Sequence, residues 1–406
     1  MIFKIAWRNI GRNKRRTLLT AASIFFAVFF SCVMTSINRG VFDKMIDDSV
    51  TSNVGYIQIH KKGFWDDQVI NNAMVYDQQW KQELAAIDKV QTVIPRLQSA
   101  AMISFGKITK NVLVTGIDPA AENKLTNISN RVVDGEYLNA DDQAVLIGEG
   151  LAKKLKATIG DTLILLSQGY RGVNAAQVYP IKGIVSFGVP ALSSGMVYMP
   201  LAAAQYFYGA NNLTTAVVLD VAGKEDVEEV LPPLYAKLDT NNTYEVMAWQ
   251  EMIPDILNLK QTKDSSNKVV TIILYFIVGF GIFGTILMMT RERQYEFGVL
   301  LSIGMKRGQL AASVWIETLL LGLLGAVVGI ALAYGLAYYL MVNPIVMQGE
   351  MAEAYTKFGM DPVMPASVAL DIFWEQALTV LTITTLIALY PAFVIFRLQP
   401  VTAMRS

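Results

Sequence analysis

Four long apolar stretches constrain the fold of this chain more than any other feature of its sequence. Residues 17–38, 269–290 and 376–396 contain no charged side chain, and residues 311–341 contain only one, Glu317. A helix that crosses a bilayer needs about 20 consecutive, predominantly apolar residues. The sequence therefore predicts four transmembrane helices over these ranges.

The composition agrees with a membrane protein and excludes several other classes. Only 17% of the 406 residues are charged, against about 25% in soluble domains. The formal net charge is zero, so we expect no nucleic-acid partner. Cys32 is the only cysteine, which excludes a disulfide within one chain. The single histidine, His60, is expected at a surface or strand end, because a metal site needs several ligands.

Basic residues predict how the helices are oriented. Residues 1–16, 291–310 and 397–406 together contain 12 of the 34 basic residues but only two acidic ones, both glutamates. Segments rich in Lys and Arg remain in the cytoplasm. We therefore expect both termini and the 291–310 segment to be cytoplasmic, and residues 39–268 and the 342–375 loop to lie on the outer side of the membrane, which in a bacterial inner membrane is the periplasm.

The first 16 residues combine apolar and basic side chains, which is typical of a helix that lies on a membrane surface. A positive segment before an apolar run also resembles a secretory signal. The run at 17–38 is too long for that, however, and no A-x-A cleavage site follows it. We expect residues 1–16 to form a cytoplasmic amphipathic segment and residues 17–38 to be retained.

Residues 39–268 alternate strand-like stretches, such as GYIQIH and DTLILL, with helical patterns. The helical KEDVEEVLPPLYAKLD is expected to be interrupted at Pro232-Pro233. We predict an α+β domain with a strand-rich subdomain at about 100–215 and helices in its outer thirds. The complete fold class is an α-helical membrane protein with four transmembrane helices and a large α+β extracytoplasmic domain inserted between helices 1 and 2.

Enzymatic motifs are missing from the sequence. It contains no GxSxG, HExxH or CxxC, and a Ser-His-Asp triad would have to use His60. It also contains no GxxxxGK[ST], so the chain does not bind ATP through a P-loop. We predict no catalytic residue, no metal site and no cofactor in this chain.

The charged segment between the second and third apolar stretches, TRERQYEFGVLLSIGMKRGQL, has an apolar centre. On a helix, Glu292 and Glu296 share one face, with Arg293 at its edge. Apolar residues occupy another side, and Gly304 ends the helix. Such an amphipathic helix either lies among lipid headgroups or binds in the groove of a cytoplasmic partner. The residue pattern by itself favours neither interpretation.

This segment resembles the signature ERxxEFGxLLSIGMKRGQL of the FtsX-type permease domain of MacB-like ABC transporters. The stretches AWRNIGRNKRRTLLT and LQPVTAMR resemble the two ends of that family. The order of one span, a large outer domain and three spans is also the family's order, so the resemblance covers the whole chain.

The resemblance implies that the 291–310 segment is a coupling helix that docks on a separate cytoplasmic ABC ATPase dimer, which binds ATP and Mg. It further implies pairing with a second, identical or different, permease chain, and transmission of ATPase closure to the periplasmic domains (mechanotransmission). The residues to which it assigns ATPase coupling are Glu292, Arg293, Glu296, Phe297, Leu300 and Gly304.

The outer-domain stretches VLVTGIDPAAE, DGEYL, VLIGEGLAKKL and IGDTLILL resemble lipoprotein-releasing permeases of the LolC/LolE type and also MacB. The implied function is extraction of lipoproteins from the inner membrane. One alternative is MacB-like efflux of drugs, toxins or peptides. Another is a non-transporting subunit that controls a periplasmic partner. The 342–375 loop is longer than the family's usual connection.

Three further sets of residues are candidates for contacts. Glycines with small-residue spacing favour close helix packing and are candidates for a dimer interface, although glycine is also common in membrane helices without such a role; they are Gly322, Gly325 and Gly329. An aromatic and methionine surface on the first helix is a candidate for contact with lipids or the acyl chains of a lipoprotein; it comprises Phe25, Phe26, Phe29, Phe30 and Met34. Glu317 is expected to reach the headgroups or to pair with an N-terminal arginine rather than to relay protons.

Overall fold

The computed structural model describes residues 8, 14–187, 190–238, 243–349, 352 and 362–399. The helices are α1 (Lys14–Ser49), α2 (Phe64–Asp67), α3 (Gln78–Ala85), α4 (Pro119–Thr126), α5 (Glu149–Leu155), α6 (Pro190–Gly195), α7 (Leu201–Tyr208), α8 (Val227–Leu238), α9 (Trp249–Met252), α10 (Pro254–Glu292), α11 (Gln294–Ser302), α12 (Arg307–Val342) and α13 (Leu370–Arg397). The strands are β1 (Ile57–Lys61), β2 (Met74–Val75), β3 (Val90–Phe105), β4 (Ile108–Ile117), β5 (Val132–Gly135), β6 (Val145–Gly148), β7 (Thr162–Gln168), β8 (Asn174–Val185), β9 (Met196–Pro200), β10 (Leu213–Thr214), β11 (Ala216–Val221), β12 (Tyr244–Ala248), β13 (Ile345–Val346) and β14 (Val363–Met364).

The chain folds as two compact units. We call the first unit the membrane unit; it consists of the described residues within Met1–Lys44, Leu259–Val346 and Val363–Ser406. We call the second unit the sheet domain; it consists of the described residues within Met45–Asn258 and Met347–Pro362. The predicted segment 1–16 lies outside the described residues, apart from Arg8 and the start of α1. In the 342–375 loop, the described part contains the paired strands β13 and β14.

Four helices, α1, α10, α12 and α13, are long and apolar enough to cross a membrane. Each contains one of the predicted spans, and together with the sheet domain they confirm the predicted fold class. Local sequence sets several of their ends. Pro254 begins α10, because proline is favoured at the first helical position. The helix α12 ends at Val342, just before Asn343-Pro344, because proline disfavours helix at the preceding residue.

Small residues on α12 allow its backbone to approach α1 and α13 closely. A Cβ atom at Gly325 would lie 2.7 Å from the carbonyl oxygen of Ala21, and one at Gly322 would lie 2.6 Å from Thr384 Cγ2. Gly329 approaches α1 in the same way. The predicted close packing is therefore present, but it occurs within one chain. Neighbouring helices of the same chain already cover these glycines, so they are not free for the dimer contact expected from the sequence.

A buried hydrogen-bond cluster joins three of the membrane helices. The side-chain oxygen Oε1 of Gln376 on α13 accepts hydrogen bonds from Ser31 Oγ on α1, at 2.9 Å, and from the Tyr275 hydroxyl on α10, at 2.8 Å. Polar groups in an apolar interior are stable only when they are hydrogen-bonded. This cluster therefore fixes the register of α1, α10 and α13.

The sheet domain is built on one mixed sheet with the strand order β12-β1-β11-β3-β4-β9-β6-β8-β5, in which β7 pairs with both β3 and β8. The prediction placed the helices of residues 39–268 in the segments before about 100 and after about 215, but these outer thirds contribute to the sheet as well. Those thirds also supply β1, β11 and β12, which join the central strands through the β11–β3 pair. Conversely, α4, α5 and α7 lie within the strand-rich middle.

A buried ion pair attaches α4 to β3. Arg96 donates from Nε to Glu122 Oε2, at 2.9 Å, and from Nη2 to Glu122 Oε1, at 2.7 Å. Both side chains are buried, and Arg96 also donates to the carbonyl oxygen of Asn53. Two parallel charge-assisted bonds and this third acceptor compensate for the loss of hydration.

The structure differs from the sequence predictions in two further places. Helix α8 is not interrupted, because it continues through Pro232 and Pro233. The two prolines lie in the middle of the helix, and the carbonyl groups that they leave unbonded belong to the exposed residues Glu228 and Glu229. His60 lies near the end of β1, as one of the two alternatives had it, but it is fully buried and packs on the rings of Phe64 and Trp65.

Replacing Gly325 by alanine is predicted to destabilise the membrane unit. The added methyl group would meet backbone atoms of α1 that cannot move aside, at a cost of about 1–3 kcal/mol. Gly335→Ala is the matched control, because nothing lies within 4 Å of the added Cβ atom and alanine favours helix. Thermal unfolding of the purified full-length variants should separate the two. Equal midpoints would contradict the intramolecular packing described here.

Burial of His60 predicts that the sheet domain loses stability in acid. Burial lowers the pKa of His60 to about 4, against about 6.5 in the unfolded chain. The unfolded state therefore binds more protons between these values, and stability falls as pH decreases from 6.5 to 4, by at most about 3 kcal/mol. Denaturant unfolding across this pH range should show the loss, and His60→Gln should reduce it. A variant that retains the full pH dependence would assign the effect to other groups.

Candidate functional site

The segment predicted to couple the chain to a partner forms the separate helix α11. Helix α10 ends at Glu292, and Arg293 adopts a non-helical conformation with φ −93° and ψ 4°. The sequence prediction of one helix carrying both Glu292 and Glu296 was therefore wrong, because a break at Arg293 separates these two acids. The break redirects the chain, and α11 begins at Gln294.

Gly304 terminates α11 as expected. Its φ is +103°, a conformation that side chains other than hydrogen rarely allow. The N–H of Gly304 donates to the carbonyl of Leu301, and the N–H of Met305 donates to the carbonyl of Leu300, each at 3.1 Å. These two bonds form a Schellman motif, which satisfies the last carbonyl groups of the helix.

One face of α11 is buried against the membrane unit. Phe297 is only 1% exposed and belongs to an apolar cluster with Leu310 and Val314 of α12 and Ile395 of α13. The resemblance assigned Phe297 to the contact with an ATPase. Its side chain is instead enclosed by its own chain, so Phe297 positions α11 and does not present a surface to a partner.

A buried ion pair fixes the start of α11 to α12. Arg293 Nη1 lies 2.9 Å from both carboxylate oxygens of Glu317, whose side chain is 3% exposed. Arg293 Nε also lies 3.4 Å from Glu296 Oε2, and the guanidinium lies over the ring of Phe297. Glu317 is thus paired with the arginine at the α10–α11 break, a partner that the sequence analysis did not name.

The opposite face of α11 is apolar and exposed. Tyr295, Leu300 and Ile303 are 57%, 38% and 78% exposed, respectively. Tyr295 and Ile303 are eight residues apart and therefore share one side of the helix. Exposed Arg291, Lys306 and Arg307 flank this surface in the sequence. We call Tyr295, Leu300 and Ile303 the exposed patch of α11.

Sequence reasoning identified Leu300 but missed Tyr295 and Ile303. The sequence does contain a signal for a second apolar stripe, because Tyr295, Val299 and Ile303 follow one another at intervals of four residues. The pattern alone could not show which apolar side of so short a helix faces outward, since Phe297 and Leu301 form an equally good stripe. An apolar surface rimmed by charges is typical of an interaction site.

The predicted substrate-facing residues divide into two groups. Phe26, Phe30 and Met34 are more than half exposed along one side of α1. Phe25 and Phe29 are partly buried, and their rings stack with centroids 5.7 Å apart. Only Phe26, Phe30 and Met34 therefore expose enough of their side chains to face lipid or an acyl chain. Among the described residues, no cluster of three or more His, Cys, Asp or Glu side chains could hold a metal ion.

The fold and this site define a multi-pass membrane protein with a large inserted extramembranous domain. Residues 17–232 match the model of the MacB-like periplasmic core domain, and residues 268–400 match that of the FtsX-like permease C-terminal domain. The chain therefore belongs to the family of MacB-like, FtsX-type ABC transporter permeases. Helix α11 and its exposed patch lie inside the second matched region.

Curated relatives match most of this chain at low identity. An uncharacterised ABC transporter permease, YknZ of Bacillus subtilis, is 20% identical over 82% of this chain and 85% of its own length. The probable export ATP-binding/permease protein MacB of Pseudomonas entomophila is 24% identical over 86% of this chain and 52% of its own. The chain thus spans about half the length of the MacB relatives. The periplasmic region of MacB from Actinobacillus actinomycetemcomitans aligns with 52% of this chain and 96% of its own, with a TM-score of 0.37 and 15% identity.

The Arg293–Glu317 pair predicts a specific loss of order in α11. Glu317→Gln would leave the largely enclosed guanidinium of Arg293, 15% exposed, without the buried carboxylate that binds it, at a cost of about 3 kcal/mol. Glu296→Gln is the control, because that carboxylate is 40% exposed and its pair is worth about 1 kcal/mol or less. Hydrogen exchange of the full-length protein should show faster exchange in α11 for Glu317→Gln only. Similar exchange in both variants would contradict an anchoring role for Glu317.

Proposed function

We propose that this chain is the membrane subunit of an ABC transporter that couples ATP hydrolysis by a separate cytoplasmic ATPase dimer to movement in the periplasm. The exposed patch of α11 carries the proposal. The α10–α11 break, the Arg293–Glu317 pair and the buried Phe297 hold this helix against the bundle. A helix held in this way transmits a displacement to α10, α12 and α13 instead of absorbing it.

In this proposal the coupling surface consists of Tyr295, Leu300 and Ile303, with Glu292 and Glu296 beside it. Arg293, Phe297 and Gly304 act by holding α11 in place. Both termini and α11 face the cytoplasm, and the sheet domain lies in the periplasm, in keeping with the distribution of basic residues. ATP and Mg bind to the partner ATPase.

A second permease chain, identical or different, completes the proposed assembly. It contacts a surface other than Gly322, Gly325 and Gly329, because those glycines pack against their own chain. The transported substrate is proposed to be a lipoprotein, which is extracted from the inner membrane and passed to a periplasmic carrier or adaptor. The exposed stripe of Phe26, Phe30 and Met34 on α1 supports contact with its acyl chains.

Efflux is the second candidate function. Several relatives are named macrolide export ATP-binding/permease proteins, including one from Bdellovibrio bacteriovorus that is 22% identical over 79% of this chain. Their similarity extends over both the periplasmic and the permease regions and supports export of a drug, toxin or peptide by the same coupling mechanism. Control of a periplasmic partner without transport is the third alternative.

Association with the ATPase tests the coupling role. The full-length chain is co-expressed with a candidate ABC ATPase subunit from the same organism, and complex formation and ATP turnover are measured. Leu300→Asp with Ile303→Asp should weaken the complex about 30-fold, as expected for a hot spot of about 2 kcal/mol. Val346→Asp, an equally exposed apolar position in β13, is the matched control and should have no effect. Wild-type affinity in the double variant would exclude α11 as the coupling surface.

The same complex distinguishes the candidate functions. Stimulation of ATP turnover by an acylated lipoprotein, but not by its unacylated form, would establish lipoprotein extraction. Stimulation by small amphiphilic drugs or peptides instead would establish efflux. A stable periplasmic partner that alters turnover without being moved would establish the signalling alternative.

A further inference from the structure

The membrane unit contains a long groove that none of the proposed functions uses. It has a volume of about 880 Å³ and lies between α10 and α13, with α1 at one end. Side chains on α10 include Tyr275, Phe276, Phe280 and Phe283, and those on α13 include Ile383 and Leu386. The exposed fractions of Phe276, Phe280 and Leu386 exceed 60%, so the apolar part of the groove is open to a ligand.

The groove changes from charged to apolar along its length. On α10, Lys268 is followed by Tyr275, Phe276 and Phe283 at helical spacing, and on α13 Glu375 is followed by Ile383 and Leu386 in the same way. At 1.5 Å per residue, Lys268 and Phe283 are about 22 Å apart along α10. One leaflet contributes about half of a hydrocarbon core ~30 Å thick. The groove therefore has the length and polarity of a membrane lipid.

Ion pairs within the protein already occupy some of the charges at the polar end. Arg39 on α1 pairs with Asp371 at the start of α13. Lys260 on α10 pairs with Asp43 on α1, at 3.4 Å. These contacts fix the positions of the three helix ends and neutralise two of the cations that line the groove.

Two charges facing the groove have no such partner. Among the residues that the structure describes, no acid lies within ion-pair distance of Lys268 and no base within that distance of Glu375. Lys268 lies on α10 and Glu375 on α13, so they face the same opening from opposite walls. Asp264 adds a second carboxylate on α10. A net anionic ligand would be repelled by two carboxylates, whereas one that carries both an anion and an amine complements this end.

We propose that this groove binds one zwitterionic phospholipid with a primary amine in its head, of the phosphoethanolamine type. The phosphate lies at Lys268, the amine donates to Glu375, and an acyl chain lies on Phe276, Phe280 and Leu386. Phosphate binds lysine as a point charge, and an ammonium group donates to a carboxylate. The site is independent of the proposed coupling role, because it requires neither α11 nor an ATPase.

The test uses the full-length protein alone in nanodiscs of phosphatidylethanolamine and phosphatidylglycerol. A trace of phosphatidylethanolamine carries a photoactivatable acyl chain, and cross-links are located by mass spectrometry. Wild type should cross-link at α10 and α13, and unlabelled phosphatidylethanolamine should compete about tenfold better than phosphatidylglycerol. Lys268→Glu should reduce the yield about tenfold, and adding Glu375→Lys should restore it, because the swapped pair again offers one charge of each sign.

A matched pair of glycine variants tests the apolar part. Gly279 lines the groove, and a Cβ atom there would lie 3.7 Å from its nearest neighbour, an ordinary contact, so the side chain of Gly279→Leu is expected to extend into the groove. Gly284→Leu is the control on the same helix, where nothing lies within 4 Å of the added atom. Only Gly279→Leu should abolish the cross-link, with an unchanged unfolding temperature in both. Equal competition by both lipids, insensitivity to Gly279→Leu, or a peptide or second copy cross-linked in the groove would each overturn the proposal. Because no ATPase is present, failure here leaves the proposed coupling function untouched.

Discussion

The close approach of α12 to its neighbours is the constraint on which the membrane unit depends. In lipid there is little hydrophobic drive to bring helices together, so association relies on packing and on hydrogen bonds. The glycines at 322, 325 and 329 remove the side chains that would separate α12 from α1 and α13. With α12 in place, Gln376 can bridge α1 and α10 through Ser31 and Tyr275. Close backbone contact and a satisfied polar cluster together define a single arrangement of the four helices.

Helix α11 depends on this arrangement because its anchors come from two of these helices. Glu317 and Leu310 belong to α12, and Ile395 belongs to α13. The buried carboxylate of Glu317 is stabilised by the charge of Arg293. That pairing requires the helix to break where it does. The break and the buried Phe297 then determine which side of α11 is left exposed. This electrostatic contact thereby helps to select which apolar surface of α11 is exposed.

Helix α10 connects the two candidate sites of the membrane unit. Near its start it lines the amphipathic groove through Lys268 and Phe276, and at its end it leads into the break before α11. The two sites differ in chemistry. The exposed patch of α11 is short, apolar and flanked by basic residues, as suits a protein surface. The groove is long and graded from charged to apolar, as suits a lipid. A shift of α10 along its axis would affect both.

The sequence by itself determined the class of the protein. Uncharged runs long enough to span a bilayer have few alternatives, because backbone polar groups in lipid must be satisfied within a helix. Gly304 as the end of α11 also followed from local chemistry. Only the tertiary structure decided the rest. Nothing in the local pattern shows that Gly325 faces α1 rather than a second chain, that Glu317 meets Arg293, or that Phe297 is buried while Ile303 is exposed. These outcomes depend on which helices are neighbours, and contacts between residues far apart in sequence decide that.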